Sequence, residues 1–137
     1  MIIRKVKNRD FKNIWSWRVD QETINNSLSK KYITLRNHLA WFKKNISNKN
    51  YIFFVAEDSK FKESLGTVNF RIIKEKAEVS IFLNPIYREK KLAAKILKQS
   101  IMEFHKKYNI YLFAKIIPSN KKSIKIFKQC GFGIYSE

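Results

Sequence analysis

The chain has 137 residues, of which 45% are apolar and 15% aromatic, enough for one domain with a real core and too short for several. Its net charge of +18 implies attraction to polyanions: nucleic acid, an anionic membrane or phosphorylated small molecules. No apolar run is long enough to cross a bilayer, and the opening MIIRKVKNRDF lacks the apolar middle of a signal peptide. Cys130 is the only cysteine, which excludes an internal disulfide. These features predict a single domain over 1–137 in a cytoplasmic, reducing location. Lys, Ile and Asn abound while Gly and Pro are scarce, the signature of an AT-rich genome, so many of the lysines read as solvated surface.

IIRKV (2–6) alternates like a short strand. Asn8 or Asp10 can cap a helix carrying Phe11, Ile14, Trp15 and Arg18. DQETINNSLSKK (20–31) is polar and reads as a loop. Thr34 can cap a second helix, with Leu35, His38, Leu39, Phe42 and Ile46 at helical spacing. YIFFVAE (51–57) is a continuous apolar run, suited to a strand buried on both faces. SLGTVNFRII (64–73) and AEVSIFL (77–83) alternate, and the short polar gaps make the three an antiparallel meander.

A long helix is predicted from about Arg88 to Tyr108, its stripe Leu92, Ile96, Ile101, Phe104 and Tyr108. IYLFAKII (110–117) reads as another buried strand, stopped by Pro118. Ser119 or Asn120 then caps a helix with Ile124 and Phe127, which Gly131 closes. FGIYSE is left as a last short strand. The predicted order is β-α-α-β-β-β-α-β-α-β: an α/β (α+β) chain with a mixed, mostly antiparallel sheet flanked by helices. The strand–helix–strand unit around the long helix is a right-handed crossover, which makes its two strands parallel. Ligands in such sheets favour the carboxyl ends of strands beside the crossover, here residues 81–94.

In that order of elements the chain resembles the GNAT N-acetyltransferases, which use acetyl-CoA. IFLNPIYREKKLAAKIL is similar to that family's strand, proline turn and [Q/R]-x-x-G-x-[G/A] helix start. Arg88 and Ala93 fit the pattern, and Lys91 replaces its glycine. IIPSNKKSIKIFKQCGF is similar to the later coenzyme segment, with Asn120, Ser123, Phe127, Gly131 and Phe132 at the matching places. The resemblance implies that the amides of Arg88, Glu89, Lys90, Lys91, Leu92, Ala93 and Ala94 cradle the pyrophosphate of acetyl-CoA at a helix N-terminus. It also implies that Ile81, Phe82 and Leu83 offer main-chain hydrogen bonds to the pantetheine arm, and that Asn120, Ser123 and Phe127 line the coenzyme. No metal is implied.

Acyl transfer to an amine needs a base, because the amine is mostly protonated near neutrality. Glu78 is the candidate: it lies on the strand leading into the coenzyme segment and shares a face with Ser80 and Phe82. Glu57 is second. His38 and His105 read as packing or surface. Phe127 occupies the place where many family members carry a tyrosine acid, and Tyr87, Tyr111 and Tyr135 are the substitutes on offer.

The segment IWSWRVDQETINNSLSKKYITLRNHLAWF resembles family members that acetylate nucleotide-linked amino sugars in bacterial surface-glycan pathways, including pseudaminic-acid-type sugars. That resemblance implies substrate contacts from Trp17, Arg18 and Trp41. Aromatic rings stack on a base or sugar, and arginine pairs with a diphosphate. Trp15 is the tryptophan expected to pack in the core. Two alternatives stay open: acetylation of a protein or peptide amine, and a GNAT fold that binds without catalysis. The expected partner is a small-molecule amine, not nucleic acid or membrane, and an unpaired sheet edge at the chain's end points to a homodimer.

Overall fold

A computed structural model describes residues 1–135. Five strands form one sheet in the order β1-β2-β3-β4-β5: β1 (Ile2–Lys5), β2 (Tyr51–Glu57), β3 (Ser64–Ile73), β4 (Lys76–Leu83) and β5 (Tyr111–Phe113). The first four pair antiparallel, and β4 and β5 pair parallel, as the crossover argument requires. The helices are α1 (Phe11–Arg18), α2 (Gln21–Asn25), α3 (Leu35–Ile46), α4 (Leu92–His105) and α5 (Lys121–Gln129).

The side-chain period of two divides β4 between the two faces of the sheet. Ala77, Val79, Ile81 and Leu83 face a core formed with Phe54, Val68 and Phe70 of the neighbouring strands, Ile96, Leu97 and Phe104 of α4, and Phe127 of α5. Phe70 stacks on Phe104 with ring centroids 4.3 Å apart. On the other face Phe53 and Val55 meet Ile14 and Trp17 of α1 and Phe42 of α3, and Phe82 packs against this group. Each fully buried large apolar side chain contributes about 1.5–3 kcal/mol to holding helices on the sheet. The sheet is therefore covered on both sides, which explains the unbroken apolar run of β2. Arg4 closes the N-terminal end, paired with Asp10 at 2.9 Å and with Glu57 at 2.7 Å.

Four local expectations are corrected. Residues 20–31 are not all loop, because the Asp20 carboxylate accepts from the Thr23 amide and starts one short helix, α2. The long helix begins at Leu92, not Arg88, because Glu89 and Lys91 take positive φ before it. It ends at His105. The strand expected over 110–117 pairs only over Tyr111–Phe113, and Tyr111 is 84% exposed. No strand forms over residues 132–135; the rest of the expected last strand, Ser136 and Glu137, lies outside the described residues.

Candidate functional site

The segments that the sequence assigns to the donor begin where β4 and β5 part. Their ladder runs Lys76–Tyr111, Ala77–Leu112, Glu78–Phe113 and stops, while β4 stays paired to β3 as far as Leu83–Gly66. From Val79 to Leu83 the outer edge of β4 is thus without a strand partner. Ile81, Phe82 and Leu83 all lie on this stretch. Gly66 permits the close approach of β3: a Cβ there would stand 3.0 Å from the Phe82 carbonyl oxygen.

Asn84 then turns the chain. Its side chain accepts from the Ile86 amide and donates to the Ser64 carbonyl, fixing a single 3-10 turn over Pro85–Tyr87. Arg88 is extended, Glu89 has φ 65°, and Lys91, the residue before α4, has φ 58° and ψ 27°. Lys91 therefore adopts the left-handed conformation that a glycine takes freely and that costs another residue roughly 1–2 kcal/mol. Behind it, the first amides of α4, Leu92 to Ala94, have no acceptor within the helix and point along the positive end of its dipole. An anion fits there on ordinary helix physics.

Asn120 caps α5, its side-chain oxygen accepting from the Ser123 amide at 3.3 Å. Its amide nitrogen reaches the Asn26 carbonyl at 3.5 Å, across to the end of α2. Phe127 is 4% exposed, its ring set edge-on to Phe132. Of the tyrosines considered beside it, Tyr87 packs against the core, whereas Tyr111 and Tyr135 are open to solvent. His105 bonds the Tyr108 carbonyl at the end of α4.

The residues expected to meet the acceptor lie toward the opposite face of β4. Glu78, Ser80 and Phe82 line it as the alternation predicts, and Glu78 stands at the last paired residue before the strands part. One Glu78 oxygen accepts from Arg71 at 2.6 Å across the β3–β4 ladder. Tyr51 of β2 stands opposite Arg71 of β3, and burial pushes its phenol well up from its usual value. Glu57 is held by Arg4 and belongs to that structural cluster.

Arg18 projects from the end of α1 onto this face. Its guanidinium lies 4.2 Å from the Trp41 ring centroid and 5.8 Å from that of Phe82. It also meets His38 Nδ1 at 3.1 Å. His38 Nε2 is 2.7 Å from the Phe11 carbonyl, so the neutral ring donates there and accepts from Arg18. Burial pulls the His38 imidazole below its usual value, and the Arg18 charge adds to this. No carboxylate pairs with Arg18 among the described residues, and burial pulls its pKa below the usual arginine value. It is a half-buried cation supported by two aromatic faces and a neutral imidazole.

The burial of two tryptophans differs from expectation. Trp17 is 4% exposed and belongs to the core, while Trp15 is half-buried, donating to the Ile33 carbonyl at 2.8 Å. Helical spacing puts both near the buried stripe of a two-turn helix and does not rank them. Tyr51, Asn69 and Arg71 were not anticipated at all. Their common face follows from the β2–β3 register, which pairing, not composition, fixes. Among the described residues no three His, Cys, Asp or Glu side chains converge as metal ligands, and no helix is long and apolar enough to cross a membrane.

A family model for the acetyltransferase (GNAT) domain matches residues 1–133. The chain is 28% identical over 139 residues to the acetyltransferase PseH of Campylobacter jejuni subsp. jejuni serotype O:23/36 (strain 81-176), covering 97% of this chain and 83% of that protein. Its fold is similar to that of spermidine N-acetyltransferase from Vibrio cholerae, solved in complex with CoA and spermine. The TM-score is 0.87 at 19% identity, covering 98% of this chain and 82% of that one. A domain from Methanocaldococcus jannaschii DSM 2661 is similar at TM-score 0.81 and 20% identity, covering 96% of this chain and 87% of that one.

Proposed function

The chain belongs to the GNAT acetyltransferase family, and from that premise we propose that its acceptor is the primary amine of a nucleotide-linked amino sugar, as in surface-glycan biosynthesis. The coarser activity is that of an N-acetyltransferase with acetyl-CoA as co-substrate. When bound, acetyl-CoA supplies an activated thioester. The amides opening α4 would hold its pyrophosphate, the outer edge of β4 at Ile81–Leu83 its pantetheine arm, and Asn120 and Ser123 would flank it, with Phe127 buried behind them in the core.

The observation that carries the acceptor reading is Arg18. A half-buried guanidinium with no carboxylate partner among the described residues has its charge free for an anion, and a diphosphate matches its planar fork. Trp41 beside it offers a face for a base or sugar ring. Trp17, buried in the core, would shape the site from behind. Glu78 lies on the same face at the point where the strands part, and we assign it the proton that the ammonium must lose before its nitrogen attacks. Arg71 engages one Glu78 oxygen and leaves the other for that proton.

A polyamine acceptor is disfavoured by the same geometry. A polycation needs carboxylates, and here Asp10 and Glu57 are paired with Arg4, Asp20 and Glu22 with Arg88, and Glu78 with Arg71. The test is thiol release from acetyl-CoA with a panel of nucleotide-linked amino sugars and polyamines. Turnover with an amino-sugar nucleotide and none with spermidine is expected; the reverse preference would sink the proposal.

A further inference from the structure

The turn before α4 has no glycine, yet it holds two non-glycine residues, Glu89 and Lys91, at positive φ. Contacts from outside the turn brace it. Arg88, at its start, pairs with Asp20, with Glu22 at 2.7 Å and with the Thr23 hydroxyl at 3.2 Å, all on or capping α2. Glu89 meets Lys122 of α5 at 3.1 Å, and Lys122 also lies 3.7 Å from Glu22. The turn is thus tied on one side to the acceptor half of the chain and on the other to the coenzyme-side helix. Lys122 and Glu89 are both largely exposed, so the Arg88 arm is the stronger one.

We propose that Asp20 and Glu22 are positioning residues for coenzyme binding, acting through Arg88 to hold a glycine-free turn in the conformation that presents the α4 amides. This rests on the reading that those amides take the pyrophosphate. It answers how Lys91 can stand in a glycine's place: α2 supplies from outside the constraint that offsets the unfavourable backbone. The Arg88 pair also draws the Asp20 carboxyl below its usual range, as a persistent partner should. It follows that α2, although on the acceptor side, contributes to the affinity for the donor.

The test is a cycle of four proteins: wild type, the double variant Asp20→Asn with Glu22→Gln, Lys91→Gly, and all three changes together. Asparagine still accepts from the Thr23 amide, so Asp20→Asn removes charge while keeping the α2 cap. Acetyl-CoA affinity is measured by calorimetry, and KM and kcat with a saturating acceptor. The double variant is expected to bind acetyl-CoA roughly tenfold more weakly, with KM rising and kcat little changed. With glycine at 91 the same two changes should weaken binding by less than about threefold, because the conformation no longer needs to be held. Unchanged or tighter binding by the double variant overturns the inference while leaving the coenzyme site standing. An equal loss in both backgrounds also overturns it, since the carboxylates then do not act through the turn. A wild-type chain that binds no acetyl-CoA overturns the coenzyme site and this inference together.

Discussion

Arg18 and His38 form a pair whose charge state depends on pH in one direction. The His38 ring accepts from Arg18 only while it is neutral; protonated, it would set two cations 3.1 Å apart. Its folded pKa is depressed, first by burial. The unfolded chain therefore takes up a proton below about pH 6.5 that the folded chain resists. Stability from this site is complete above that pH and is lost as pH falls through the window beneath it. Denaturant titrations at neutral and mildly acid pH should give a steeper decline for wild type than for His38→Gln, and equal slopes would refute the assignment. Glu78→Gln keeps the side chain's shape and removes the proposed base. It should lower kcat by about a hundredfold or more and leave acetyl-CoA affinity within twofold; an unchanged kcat would remove Glu78 from the mechanism. At this scale the sequence was informative where chemistry is local. Glu78, Arg18 and the Asn120 cap follow from alternation, helix position and capping preference. Which tryptophan is buried does not, since that depends on how α1 meets α3 and β2.

Strand β4 does three things at once. Its odd residues hold α4, its even residues face the acceptor side, and its outer edge stands open beyond Glu78. Gly66 on β3 lets it sit where it does, with its missing Cβ 3.0 Å from the Phe82 oxygen and 3.4 Å from the Leu83 Cα. Gly66→Ala should push the end of β4 outward, lowering stability by about 1–3 kcal/mol and raising the KM for acetyl-CoA. Thermal denaturation with coenzyme titration checks both, and a variant as stable as wild type would show that β4 yields freely. The meander, α3 and α5 were legible because their apolar periods are long and their caps, Thr34 and Asn120, are strong. Helix α2 was not, because a five-residue polar helix has no apolar stripe to announce it. The truncation of β5 was not either, since IYLFAKII keeps its strand composition past the point where its partner diverges.

The whole molecule carries +18, and most of its few carboxylates are already engaged by arginine or lysine. A substrate approaching it meets a positive field. For an anionic acceptor kcat/KM should fall as salt rises, by about three- to tenfold over a tenfold increase in ionic strength. A polyamine would show the opposite slope, so a salt series distinguishes the two classes even before the best acceptor is known. The sequence did show this charge, but not that Arg18 would stand half-buried with no carboxylate partner among the described residues. The short ladder between β4 and β5 carries a consequence for the cell. Three residue pairs make the β4–β5 ladder, and Leu112 adds packing against the core, so a ligand seated in the opening beyond them would stabilise the native chain with the logarithm of its concentration. At a hundred times its dissociation constant that amounts to about 2.7 kcal/mol. A chain whose β4–β5 ladder is this short should resist limited proteolysis better as acetyl-CoA is added, and cleavage rates across a coenzyme titration check it.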